Sequence, residues 1–174
     1  MNYFEIFGLE QQFAIDVNTL AQTYQNLQKT VHPDRFAHAS SQEQLIAVKK
    51  STLINDAYQT LKNPIQRGEY ILNLRAVNRP SEQASYSDNS FLMRQMELHE
   101  MIAEVKTASD VEQAISAASK VLSSESAQLF SMMEQQLLEN SETANLQACE
   151  NLRKLKFYQK LHSDLDRIEE SLLD

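Results

Sequence analysis

The scarcity of glycine and proline is the feature that most restricts the fold of this chain. Its 174 residues include only two glycines, Gly8 and Gly68, and three prolines, Pro33, Pro64 and Pro80. Tight turns depend on these residue types, because glycine reaches positive φ and proline fixes φ in advance. The sequence therefore predicts an all-α fold with almost no strand.

Apolar periodicity divides the first 75 residues into helices. A helix is predicted over 18–31, with Asp16 as its N-cap. The side chains on its apolar face are Leu20, Tyr24, Leu27 and Val31. A second helix is predicted over 42–62, where Asn63-Pro64 ends it, and a short third helix follows over 64–75. The pattern indicates one compact helical domain over 1–75.

Residues 76–89 separate this domain from a second one. The segment AVNRPSEQASYSDN lacks apolar periodicity and is rich in Ser, Asn and Asp, which is typical of a linker. Three helices are predicted after it, over 88–107, 110–139 and 142–172. Ser109 and Glu112 predict a capping box at the start of the second. Short connections favour antiparallel packing, so we expect a three-helix bundle over 90–174.

Charge and cysteine content exclude several classes of function. Residues 1–75 carry seven basic and seven acidic groups, so the net charge of −8 lies wholly in 76–174, which argues against nucleic acid. The single cysteine, Cys149, rules out a CxxC site, and no basic partner for a nucleophilic thiol is apparent. A metalloprotein or hydrolase is the competing class, but the four histidines lack ligand-like spacing. We expect no cofactor and no metal, and no enzymatic activity.

The N-terminus and the hydropathy indicate where the protein acts. The first ten residues are acidic where a signal peptide would be basic, and no apolar run approaches the length of a membrane span. We expect a bacterial cytoplasmic protein that does not enter a membrane.

The tripeptide His32-Pro33-Asp34 lies between the first two long helices. Pro33 lacks an N–H and disfavours the helical conformation at His32, so the helix ends there and both polar side chains lie on a bend. NYFEIFGL precedes the tripeptide at 2–9, and INDAYQTL follows it at 54–61. With these flanking motifs the segment resembles a J domain, and NPIQRGEY at 63–70 narrows the resemblance to the HscB branch.

The resemblance implies that the partner is a DnaK-like ATPase chaperone (HscA-like). It also implies that His32, Pro33 and Asp34 trigger ATP hydrolysis by that chaperone. Positively charged side chains near this bend would steer the encounter, and the candidates are Lys29, Arg35, Lys49 and Lys50. Each of the four could equally solvate a helix face. The face from Leu20 to Thr30 carries only one lysine, whereas J domains commonly have several basic groups there. We therefore expect a weak, transient complex with little salt dependence.

The helix that begins near residue 88 has apolar side chains on two faces. The side chains of its core face all lie within roughly 60° of one direction on a helical wheel, and they are Phe91, Leu98, Met101, Ile102 and Val105. Leu92, Met93 and Met96 fall on the far side, interleaved with Glu97, Glu100 and Glu104. Either this helix is buried on both sides, or the far side is an apolar docking surface with acidic neighbours.

The resemblance favours the docking surface over burial on both sides. These six residues match the pattern LMxQxExxExxxE through which HscB proteins bind the IscU-type iron–sulfur scaffold, with Met96 where leucine is usual. Phe157, in the segment RKLKF, matches a second family segment whose phenylalanine borders the scaffold site. Its place on the helical wheel is equally compatible with a core position. The implied function is a co-chaperone that delivers the scaffold to the chaperone and stimulates ATP hydrolysis. The rival interpretation is a J protein with another client, or a helical adaptor unrelated to clusters, and it makes no demand on Leu92, Met93 and Met96.

Overall fold

A computed structural model describes all 174 residues, which form seven α-helices and no strand. The helices are α1 Tyr3–Ile6, α2 Val17–Val31, α3 Ser41–Lys62, α4 Pro64–Leu74, α5 Asn89–Val105, α6 Val111–Glu139 and α7 Glu142–Ser171. The chain divides into two compact units, Met1–Ala76 and Val77–Asp174. The predicted all-α class is confirmed, and the predicted helix bounds agree to within two residues.

In the N-terminal unit, α2 and α3 form a hairpin against which α1 and α4 pack. Asp16 caps α2 as predicted, since its carboxylate accepts hydrogen bonds from the backbone N–H groups of Asn18 and Thr19 at 2.9 and 3.3 Å. Asn63 ends α3 in an extended conformation and caps α4, where Pro64 occupies the first helical position.

The short helix α1 is held in place at both ends. Asn2 and Glu5 form a reciprocal capping box at its start. Gly8 has a φ of +66° after its end, where glycine is favoured. The ring of Tyr3 stacks on Tyr70 of α4 at 4.6 Å between centroids, which joins the first helix to the last helix of the unit.

In the C-terminal unit, α6 and α7 form a long antiparallel hairpin, and α5 packs against both helices. Asn140, in the left-handed conformation, ends α6, and Ser141 caps α7. The core cluster includes the fully buried side chains of Leu98, Leu122 and Leu161. Each such leucine contributes about 1.5–3 kcal/mol through burial, so the three-helix bundle rests on this cluster.

One local prediction was wrong at the start of α6. The capping residue is Asp110, whose carboxylate accepts from the N–H of Gln113 at 3.1 Å, and not Ser109. Both residues are good caps. Val111 and Ala114 pack against the core cluster, so a helix that begins at Val111 places its first turn on the core.

Part of the segment read as a linker is bound to α7. Arg153 donates hydrogen bonds to the carbonyl oxygens of Glu82 and Ala84, and its guanidinium lies 4.4 Å from the ring centroid of Tyr86. The backbone N–H and the hydroxyl of Ser87 both donate to the Glu150 carboxylate. Residues 82–88 are therefore an ordered part of the C-terminal unit.

Candidate functional site

The bend at His32 displays the His-Pro-Asp tripeptide outside regular α-helix. His32 has φ −58° and ψ 131°, so α2 ends at Val31, and Pro33 begins a 3-10 helix that runs to Phe36. The N–H of Asp34 donates to Nδ1 of His32 at 3.2 Å. The Asp34 side chain is 93% exposed. Its carboxylate is therefore accessible to a donor on another molecule.

Arg35 connects this bend to the end of α2. Its guanidinium donates a 2.7 Å hydrogen bond to the carbonyl oxygen of Lys29, in the last turn of the helix. Such a bond satisfies one of the carbonyl groups that a helix end leaves unpaired. Arg35 thus has a structural contact in addition to its charge.

A groove of about 580 Å³ between α2 and α3 leads to the bend. Lys29 and His32 lie along it, whereas Lys49 and Lys50 are exposed elsewhere on α3. Two hydrogen bonds join its walls, from the Tyr24 hydroxyl to Asn55 at 3.0 Å and from the Ser51 hydroxyl to Gln28 at 2.8 Å. Of the four predicted basic residues, Lys29 is therefore the one that lines the groove beside His32.

Three large apolar side chains on α5 face solvent. Leu92, Met93 and Met96 are 59%, 66% and 68% exposed, and we call them the apolar patch. On the other face of the helix, Phe91 and Leu98 are buried in the core cluster. The helix is therefore not buried on both sides within its unit.

Glu97, Glu100 and Glu104, all exposed, accompany the apolar patch on α5, and we call them the acidic rim. Glu97 accepts a 2.7 Å hydrogen bond from Arg94. Arg94 also pairs with both carboxylate oxygens of Glu125 on α6, at 2.7 and 3.0 Å. The bonds to Glu125 and then to Glu97 raise the pKa of Arg94, and through Arg94 they link Glu97 to α6.

Arg94 belongs to a hydrogen-bonded network that joins α5, α6 and α7. Burial, together with the Glu125 carboxylate, raises the pKa of Tyr158 to about 12. Tyr158 also hydrogen-bonds to Glu125, so the network runs from the core of the bundle through Arg94 to Glu97. The spacing of Arg94 and Glu97 indicated the surface pair, but nothing in the sequence pointed to Glu125, which lies 31 residues from Arg94.

Phe157 is partly buried against the core cluster. Its ring makes edge contacts with Phe91 at 5.8 Å and with His99 at 5.3 Å between centroids. His99 lies one turn after Met96 on α5. Phe157 thus has a packing role and contacts α5 through Phe91 and His99.

A cavity of about 300 Å³ brings Arg79, Arg153 and Lys156 to Cys149, so the expectation that no basic side chain lies near this cysteine was wrong. No three side chains among His, Cys, Asp and Glu lie close enough together to hold a metal ion. Cys149 is buried, and burial raises the pKa of its thiol. None of the helices contains a segment long and apolar enough to cross a membrane.

The fold and the exposed tripeptide define the chain as a J-domain protein. The family model described as "DnaJ domain" matches residues 2–70, and the one described as "HSCB C-terminal oligomerisation domain" matches residues 87–166. A J domain implies an Hsp70-type chaperone as partner.

Comparison with whole proteins identifies the branch. The chain is 58% identical to the co-chaperone protein HscB homolog of Colwellia psychrerythraea, over 100% of this chain and 99% of that protein. It is 41% identical to the homolog of Shewanella sp. (strain W3-18-1), over the full length of both. The chain belongs to the HscB family of co-chaperones.

Solved structures of the family have the same fold. Chaperone HscB from Vibrio cholerae is 40% identical, with a TM-score of 0.86 over 99% of both chains. Human co-chaperone protein HscB is 28% identical, with a TM-score of 0.87 over 97% of this chain and 82% of the human one. The match therefore extends over both units.

Proposed function

We propose that this co-chaperone binds an IscU-like iron–sulfur cluster scaffold through its C-terminal unit and delivers it to an HscA-like, DnaK-related chaperone. Its J domain then stimulates ATP hydrolysis by that chaperone during cluster assembly or transfer. The co-chaperone itself catalyses no reaction and holds no cofactor. We place this activity in the bacterial cytoplasm.

The apolar patch is the observation that carries the scaffold site. Keeping Leu92, Met93 and Met96 in water forgoes about 1.5–3 kcal/mol of burial for each side chain. Methionine adapts its shape to a partner surface, and the acidic rim beside it selects a partner with basic groups. Glu97, Glu100 and Glu104 supply that charge, and Phe157 borders the patch through His99.

The exposed carboxylate of Asp34 supports the chaperone site. With 93% of its side chain in solvent, it is free to accept charge-assisted hydrogen bonds from an arginine of the chaperone. His32 and Pro33 fix the bend that presents it. Lys29 lies beside His32 and is the best placed of the basic candidates, while Arg35, Lys49 and Lys50 add to the positive charge of the unit.

The two sites act together in this proposal. We assign residues 1–75 to the J domain, 76–89 to the connection and 90–174 to scaffold binding. The chaperone is then contacted directly by the J domain and also by the bound scaffold. Because the two are linked, each raises the effective concentration of the other at the chaperone, so neither contact needs to be tight.

Titration calorimetry against an IscU-type scaffold tests the proposal. The wild-type chain is compared with a variant in which Leu92, Met93 and Met96 are all alanine. We expect micromolar binding by the wild type and a loss of more than about 100-fold in the variant. A matched control replaces three other exposed apolar side chains of the same unit, Met132, Leu138 and Leu146, with alanine.

The control separates loss of a site from loss of general hydrophobicity. It should bind as the wild type does, and circular dichroism should show both variants folded. A folded wild-type protein that does not bind the scaffold would leave a J protein with another client. Equal weakening by both triple variants would show that the apolar patch is not a specific site.

A further inference from the structure

The cavity of about 300 Å³ beside Cys149 lies between α7 and residues 77–82, which precede α5. Both of its walls belong to the C-terminal unit. A water molecule in the liquid occupies about 30 Å³, so the cavity has room for a small molecule and lies at the lower end of the size range of ligand sites. No residue of the apolar patch or the acidic rim lines it.

The lining of the cavity is basic in a unit that is otherwise acidic. Arg153 and Lys156 come from α7, and Arg79 comes from the opposite wall. Glu82 is the one acidic side chain of the lining, so three positive charges and one negative charge leave a net charge of +2. Residues 76–174 as a whole carry −8. The cavity therefore attracts anions although the unit that contains it repels them.

The Glu82 carboxylate shows that the three cations act on one place. Lys156 donates a hydrogen bond to it at 2.9 Å. Lys156 first, and then Arg79 and Arg153, lower the pKa of Glu82. The Glu82 side chain is nevertheless 76% exposed, and an ion pair with so exposed a partner contributes little. An anion inside the cavity can therefore displace Glu82 from Lys156.

Arg153 supplies a donor that the protein leaves unsatisfied. Its guanidinium donates through one terminal nitrogen to the carbonyl oxygens of Glu82 and Ala84. The Nε atom is buried and has no hydrogen-bond partner. A buried donor without an acceptor is unfavourable, so an acceptor oxygen brought by a ligand would be stabilising at this point.

We propose that this cavity binds the dianionic phosphate group of a small phosphate monoester. A dianion balances the net charge of +2, and the guanidinium groups of Arg79 and Arg153 match the geometry of phosphate oxygens. A phosphate group fills only part of the cavity. Val77, Pro80 and Leu152 provide apolar surface for a compact organic group attached to it. Because the ligand touches both walls, its binding also stabilises the contact of residues 77–82 with α7.

Titration of the full-length, nitrogen-15-labelled chain with phenyl phosphate tests the proposal. The probe is fully dianionic at about pH 8, and ionic strength is kept constant with potassium chloride. We expect a dissociation constant of about 1 mM, with shifted amide signals for Val77, Cys149 and Leu152.

Variants of the cations locate the binding. Arg79→Gln and Lys156→Gln should each weaken it by about tenfold, because each removes a charge-assisted hydrogen bond. Lys120→Gln is the matched control, since Lys120 is an exposed lysine on α6 of the same unit, and it should change the affinity by less than about twofold. The amide spectrum of each variant before titration shows whether it is folded.

Glu82→Gln provides a test in which affinity rises. It removes the carboxylate that competes for Lys156 and should tighten binding by about two- to fivefold. Glu112→Gln, which removes an exposed carboxylate from α6, should leave the affinity unchanged. Wild-type binding that neither Arg79→Gln nor Lys156→Gln weakens would overturn the proposal. So would an unchanged wild-type spectrum at about twenty times the expected dissociation constant, and inorganic phosphate that bound as tightly as phenyl phosphate would overturn the role of the apolar wall.

Discussion

Replacing Asp34 with asparagine should separate folding from chaperone activation. The Asp34 side chain is 93% exposed, and the local contact that shapes the bend comes from its backbone N–H. The substitution keeps the size of the side chain and removes its charge. We therefore expect the free energy of unfolding to change by less than about 0.5 kcal/mol.

Asp34→Asn should strongly weaken the complex between the co-chaperone and the chaperone. Removing one partner of a hydrogen-bonded charge pair that is buried on binding costs about 2–5 kcal/mol, because the other charge is left unpaired. That corresponds to a loss of about 30-fold to several thousandfold in the stimulated ATPase at subsaturating co-chaperone. The measurement is single-turnover ATP hydrolysis by an HscA-like chaperone over a range of co-chaperone concentrations.

The control for this experiment is Asp56→Asn, which removes an exposed carboxylate from α3 in the same unit. It should stimulate hydrolysis as the wild type does, and both variants should retain scaffold binding. If Asp34→Asn stimulated as well as Asp56→Asn at every concentration, the carboxylate of Asp34 would not be the triggering group.

Four further substitutions test the packing of the fold and the titration of two of its side chains. Leu98→Ala should lower the free energy of unfolding by about 2–5 kcal/mol, as measured by urea unfolding followed by circular dichroism. Met96→Ala should leave the free energy of unfolding almost unchanged. Similar losses in the two variants would refute the assignment of the two faces of α5. Hydrogen bonds from the Thr19 hydroxyl and then from backbone N–H groups lower the pKa of Asp16, so its contribution to stability is present at neutral pH and lost as the pH falls through that lowered value. Asp16→Ala should therefore unfold more easily than wild type at pH 7, and the difference in stability should shrink as the pH is lowered into the acid range; equal stability at pH 7 would contradict this. Tyr158 should be the last tyrosine to ionise in an ultraviolet titration, with a pKa of about 12. Its contribution to the free energy of unfolding is complete below pH 10 and is lost as the pH rises towards that pKa. A late ionisation step that persists in Tyr158→Phe would contradict this assignment.

Periodicity predicted the parts of this structure that depend on local sequence. The two faces of α5 were separable because Leu98 and Met96, two positions apart, point about 160° away from each other in any helix. The Asp16 cap was predictable for the same reason, since its hydrogen bonds reach only two and three residues ahead.

Contacts between distant residues could not be predicted in this way. Arg153 binds carbonyl groups of Glu82 and Ala84, 71 and 69 residues away, so nothing in the local pattern of 76–89 indicated that part of it is ordered. The Ser109 prediction failed on a smaller scale, because two adjacent residues can both cap and packing decides between them. The sequence also did not indicate which basic side chains lie near the bend. Only Lys29, among the lysines Lys29, Lys49 and Lys50, lines the groove beside His32.

The attachment of Glu97 to Arg94 has a consequence for the entropy of docking. Ordering a flexible side chain at an interface costs about 0.5–1.5 kcal/mol when it occurs on binding. Glu97 is already held by Arg94, which Glu125 holds in turn, so that ordering occurs when the bundle folds. Met93 and Met96 are exposed and would be ordered only when a partner binds. The surface thus offers a partner one fixed charge for alignment and two mobile thioethers that adjust to its shape.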